Sequence, residues 1–173
     1  MNIRFVGTTL DICLEPIEGK NSELFRKEYQ VLSDFEEDLV GQWLRQAKAK
    51  GETADSDEVV IKLLVELHKK VDMLTDIIKE EERTLLELQY QNRIDGVGFD
   101  FLRFEEGMLV EEKEYYCRIS MPVFPKREMP MFIKALDSHI AQIVLIHEKD
   151  QKDWNAYVTS RERIEIREKK VER

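Results

Sequence analysis

A chain of 173 residues is long enough for one ordinary domain, or for a small domain carrying a helical appendage. With 42% hydrophobic and 36% charged residues it is too apolar to be disordered, and its excess of charge is that of long solvated helices. A net charge of −9 with a pI near 5.0 excludes a nucleic acid polymer as the main partner, because phosphate binding needs a concentrated basic face that Lys126–Arg127 alone does not make.

No run approaches the roughly 20 apolar residues of a membrane span, so membrane insertion is not expected. Met1 to Pro16 carries Asp11 and Glu15 and lacks the apolar core of a secretory signal. Cys13 and Cys117 then read as free thiols in a reducing compartment, and the chain reads as cytoplasmic.

Residues 1–18 hold β-prone pieces, Phe5-Val6 and Ile12-Cys13-Leu14, ending at Pro16; this N-terminal strand is a candidate member of a barrel built by later strands. Ser22 is placed to cap a first helix running to about Lys50. Phe25, Tyr29, Leu32, Phe35, Leu39, Trp43 and Ala47 give that helix an aromatic-rich stripe, and Gly51 ends it. Gly51–Asp57 reads as a short turn, with Asp55 and Glu58 spaced as a capping box for a second helix from about Ser56 to Tyr90.

The second helix repeats every seven residues. With Leu64 at position a, the a set is Leu64, Val71, Ile78 and Leu85, and the d set is Val60, Leu67, Leu74, Glu81 and Leu88. Roughly four heptads of this regularity predict a seam packed along its length against other helices, and a lone Glu81 at d reads as a register-setting residue or as the point where the seam splays apart. Val71 and Ile78 at a with Leu67 and Leu74 at d suit two strands, whereas apolar flanks at Ile61, Leu63 and Ile77 suit a higher-order bundle; a homotetramer is favoured over a dimer. Residues 19–91 are thus read as a helical oligomerisation module, a long hairpin ending in a parallel coiled coil.

After Asn92 the pattern changes to short strands. Val97, Phe99 and Phe101 alternate, and Tyr115–Met121, Met131–Leu136 and Ile140–His147 follow, separated by Pro122, Pro125, Pro130 and Asp137-Ser138. A last helix opens at Asp150 or Asp153 and turns Trp154, Tyr157, Val158, Arg161 and Ile164 to one side. The fold class is α+β: a small antiparallel barrel with a C-terminal helix over residues 92–173, joined to the helical module.

Chemistry is sparse. His68, His139 and His147 are too scattered for a metal site, no Cys-x-x-Cys occurs, and no serine has the setting of a nucleophile. Gly96-Val97-Gly98 leads into a strand, not a helix, and so is not a phosphate loop. No catalytic residue, cofactor or metal is assigned, and an enzyme is not expected.

The order of elements from Asn92 to Lys170 resembles the PilZ domain, a small bacterial β-barrel that serves as a receptor for cyclic di-GMP. The likeness lies in Arg93-Ile94-Asp95-Gly96-Val97-Gly98-Phe99, the turn at Gly107, the strand closing on Met121-Pro122, the strands through Lys134-Ala135 and Ile143–Ile146, and the final Trp154-Asn155-Ala156-Tyr157-Val158 with Arg161–Arg163. The family binds its ligand through an Arg-x-x-x-Arg loop and an Asp/Asn-x-Ser-x-x-Gly strand. Aligned on Gly98, this chain has Arg93 at the Asp/Asn position and Asp95 at the Ser position, and its one Arg-x-x-x-Arg, Arg163 to Arg167, falls in the last helix.

These degenerate positions imply no binding of cyclic di-GMP, or weak binding. Some members of the family carry long helices that assemble the domains into tetramers, and this chain resembles that subgroup. The resemblance implies a non-catalytic oligomeric signalling or adaptor protein that acts through an unidentified protein partner in bacterial motility, pilus or surface signalling. Two alternatives stay open: a true cyclic di-GMP receptor with a divergent site completed by Arg4, Arg93 or a neighbouring subunit, and a structural coiled-coil protein.

Overall fold

The structure, a computed structural model, describes residues 3–33, 39–82, 85–122 and 127–171. In chain order it contains β1 (Val6–Pro16), α1 (Ser22–Ser33), α2 (Leu39–Ala49), α3 (Glu58–Glu82), β2 (Tyr90–Val97), β3 (Phe101–Phe104), β4 (Glu114–Met121), β5 (Arg127–Ala135), β6 (Ile140–Ile146) and α4 (Glu148–Val171). The six strands close a barrel in the order β1-β2-β3-β6-β5-β4, every neighbouring pair antiparallel. Closure gives each of the six described strands a partner on both sides over at least part of its length. No described helix is long and apolar enough to cross a membrane.

Period-two patterning builds the barrel. Along β1, Val6, Thr8, Leu10, Ile12 and Leu14 point inward while Gly7, Thr9 and Asp11 face out. Ile94, Leu102, Phe104, Ile119, Met131 and Ile133 complete the fill, each at most 1% exposed. The core continues to α4, whose Trp154 and Val158 are buried in it. Trp154 Nε1 donates to the carbonyls of Gly98 and Phe99, each at 3.1 Å, so its one polar atom is satisfied where its ring is buried.

The chain divides into two compact units, residues 1–33 with 85–173 and residues 34–84. β1, with Ile12-Cys13-Leu14 in it, lies in the barrel between β2 and β4, so residues 34–84 are inserted between two barrel strands. The boundaries expected at 18/19 and 91/92 shift accordingly: α1 belongs to the barrel unit. The cause is aromatic packing. Phe25 stacks on Tyr116 of β4 at 4.9 Å, and Tyr29 meets Phe132 of β5 edge-on at 5.3 Å.

Three helices stand where a hairpin of two was expected. The first expected helix corresponds to α1 and α2, with Phe35 outside the described residues. Gly51 does end it: at φ 76° it is followed by bonds from Glu52 N to the Ala47 carbonyl and from Gly51 N to the Lys48 carbonyl, a Schellman cap. α3 is capped by Asp57, not Asp55, whose place in the turn leaves it too early; Asp57 Oδ1 accepts from Val59 N at 2.8 Å.

α3 ends at Glu82 and not at Tyr90, so Leu85 and Leu88 do not extend the helical seam. Leu86 and Leu88 instead pack on Phe25, Tyr116 and Phe132, and Tyr90 begins β2. The side chain of Glu81 lies outside what the structure describes. Two boundaries in the barrel also differ. Pro130 sits inside β5 opposite Arg118, tolerated because the β6 ladder stops at Met131↔Ile146 and leaves that position with a neighbour on one side only. α4 starts at Glu148, with the His147 carbonyl accepting from Gln151 N at 2.8 Å; Asp150 is buried and ion-paired with Arg127.

Candidate functional site

The most conspicuous surface lies on α3. Val60, Leu64, Leu67, Val71, Leu74 and Ile78 are large apolar side chains left 50–60% exposed. They recur at spacings of four and three and so form one stripe. The polar pairs of the helix keep to its other faces: Lys62 with Glu58 at 3.6 Å, Lys69 with Glu66 at 2.8 Å, His68 with Asp72 at 3.1 Å. The hydrogen bond from Lys69 holds the Glu66 carboxyl below its usual range. A second, half-buried face includes Ile61 and Val65. These two line a groove of about 400 Å³ between α2 and α3, together with Trp43, Leu44, Ala47 and Leu64. A contiguous apolar stripe of this length is uncommon on a free monomer.

The ligand-motif positions lie on the outer face of β2. Strand alternation turns Ile94 inward and Arg93 and Asp95 outward. The Arg93 guanidinium lies 3.7 Å from both Asp11 and Glu105. Asp95 accepts a 2.7 Å hydrogen bond from Arg103, whose guanidinium sits 5.2 Å over the Phe5 ring. Gly96 leaves room for this: a Cβ there would come within 3.0 Å of that guanidinium. Gly98 makes the β2–β3 turn, donating to the Phe101 carbonyl at 2.8 Å, and a Cβ on it would press on the Arg4 carbonyl at 3.3 Å. Arg4 itself pairs with Glu162 at 3.8 Å.

Arg93 and Asp95 thus share one face, but Arg93 lies between two carboxylates and Asp95 is taken up by Arg103. Exposed pairs of this kind are worth about 0–1 kcal/mol each. They do not lock the arginines, yet Asp11, Asp95 and Glu105 together place more negative than positive charge around Arg93 and Arg103.

Sequence reasoning missed a buried polar junction between α1 and β4. Glu28 Oε1 accepts from Tyr116 Oη at 2.8 Å and from Arg118 Nη1, while its Oε2 accepts from Leu86 N at 2.6 Å. Arg118 Nη2 donates to the Leu86 carbonyl at 2.8 Å. Burial, reinforced by the Glu28 charge, pushes the Tyr116 phenol far above its ordinary range, so it stays a donor. The available signal was Arg118 itself, the lone charge within Tyr115–Met121.

Cys13 and Cys117 are both free thiols; their positions face opposite sides of the wall, Cys117 in the core. Among the described residues no group of three His, Cys, Asp or Glu side chains is placed to hold a metal ion. No family model, curated protein or solved structure matches the chain.

Proposed function

We propose that this chain is a PilZ-like, non-catalytic adaptor. Copies assemble through α3, and the barrels act on a protein partner in the cytoplasm of a bacterium, in motility, pilus or surface signalling. The observation that carries the reading is the stripe Val60, Leu64, Leu67, Val71, Leu74 and Ile78, spaced as a heptad seam and left 50–60% exposed. Burying such side chains is worth roughly 1.5–3 kcal/mol each, enough to drive association when several act together. A tetramer suits the apolar flanks Leu63 and Ile77 better than a dimer does. Clustering would give several barrels avidity for one target.

Support for the barrel half of the reading is architectural: a closed six-stranded antiparallel barrel with a C-terminal helix whose Trp154 enters the core. The carboxylates around Arg93 favour an adaptor that does not take up cyclic di-GMP, or takes it up weakly, over a receptor. The test combines light scattering with calorimetric titration of cyclic di-GMP into the full-length protein. A defined oligomer that the double substitution L74E/I78E reduces to monomer, without ligand heat, is the expected result. An unchanged mass in that variant would remove the assembly claim. Saturable micromolar binding abolished by R93A would make the protein a receptor instead.

A further inference from the structure

We propose that Trp43 of α2, with the groove it forms beside α3, belongs to the surface on which copies of this chain meet, and that the occupant is the α3 seam of a second copy. The inference rests on the self-assembly read above and extends it from one helix to two.

Trp43 is the largest exposed apolar side chain described, at 62% exposure. An indole left this open buries little of its surface within the single chain. It is not isolated, since it lines the same groove as Leu64, and Leu64 is an a-position member of the seam. The groove and the seam therefore form one continuous apolar surface.

The occupant follows from two considerations. A surface repeating every 3.5 residues is matched along its length by another helix with the same repeat, and α3 is such a helix, present at equal concentration in every copy. Area points the same way. The six seam side chains expose on the order of 600 Å², short of the roughly 800 Å² per partner of a standard interface, and adding Leu63 and Trp43 reaches that size. Tryptophan in such a position commonly carries a disproportionate share of the binding free energy.

The chain provides its own probe, because its two tryptophans differ: Trp154 is 0% exposed and Trp43 is open in the single chain. Acrylamide, a neutral quencher, is titrated into the full-length protein while light scattering records the mass. In the oligomer both tryptophans should resist quenching. In L74E/I78E the quenching should rise severalfold, and this rise should vanish when W43F is added. Independently, W43A should raise the dissociation constant of the assembly roughly tenfold or more, with unchanged circular dichroism because the side chain is exposed in the free chain.

An oligomer of normal mass in which Trp43 is quenched as readily as in L74E/I78E would overturn the groove proposal and leave the α3 seam standing. So would W43A assembling with wild-type affinity. A wild-type protein that stays monomeric at all concentrations would overturn both, and would leave the groove to a foreign helix.

Discussion

Glu28 and Arg118 stand 90 residues apart in sequence and form an ion pair with both side chains only 8% exposed. The pair does more than hold α1 to β4. Through Leu86 N and the Leu86 carbonyl it also fixes the point at which the chain re-enters the barrel unit after the helical insertion. One carboxylate thereby secures the segments on both sides of residues 34–84 to the same patch of barrel wall.

Removing one member should cost far more than removing its neutral neighbour. Glu28→Ala leaves Arg118 buried without its counter-charge, a loss of about 3–5 kcal/mol. Tyr116→Phe deletes a single hydrogen bond while keeping the ring stacked on Phe25, a loss of about 1 kcal/mol. Urea denaturation of E28A, Y116F, R118A and E28A/R118A checks this, and the double variant should lose less than the sum of E28A and R118A. Equal losses for E28A and Y116F would mean that the charge is already solvated.

Trp154 closes the barrel beneath α4. Trp154→Ala should destabilise the protein by about 3–5 kcal/mol, the range for truncating a buried aromatic ring. Trp154→Phe keeps most of the volume but leaves the Gly98 and Phe99 carbonyls without the indole donor, so an intermediate loss of about 1–2 kcal/mol is expected. Thermal unfolding followed by far-ultraviolet circular dichroism separates the two.

The barrel and the C-terminal helix were legible because each carries a local period: two along β1 and β4, and the Trp154, Tyr157, Val158 stripe in α4. The end of α3 was not. Leu85 and Leu88 keep the heptad spacing, and spacing alone cannot register that the Leu86 backbone is bonded by Glu28 and Arg118. Tertiary contacts overrode a correct local pattern there. The junction itself was invisible for the same reason, with one partner on a helix and the other on a strand far along the chain. Pro130 misled in the opposite direction. A proline ordinarily ends a strand, and only the register of β5 against β6 explains its place inside one.

The caps of the insertion offer a test at its surface. Gly51 has a φ of 76°, a conformation that costs a residue with a Cβ about 1 kcal/mol or more, and nothing crowds the position otherwise. Gly51→Ala should therefore lower stability by roughly 1 kcal/mol through backbone strain alone. Asp57→Ala removes the acceptor for Val59 N and should cost about as much. Asp55→Ala, at the position first expected to cap α3, should be close to neutral. Chemical denaturation of the three variants decides between Asp57 and Asp55.

Cys117 gives the protein an alkaline limit. Burial in the core pushes its thiol well above the ordinary value of 9.0. The folded chain therefore holds this proton to higher pH than the unfolded chain does. The corresponding stability is fully present below pH 9 and is lost as pH rises toward the folded value, at up to about 1.4 kcal/mol per pH unit. Tyr116, shifted in the same direction from 10.0, adds to the loss at higher pH. Between pH 8 and pH 10 the wild type should lose about 1 kcal/mol more than Cys117→Ala in urea titrations. Alkylation provides the matching kinetic readout. Half-buried Cys13, its thiol raised mainly by desolvation, should react slowly in the native protein, and Cys117 only after unfolding. A C117A variant that weakens with pH as steeply as the wild type would place the alkaline sensitivity in Tyr116 and its Glu28 partner instead.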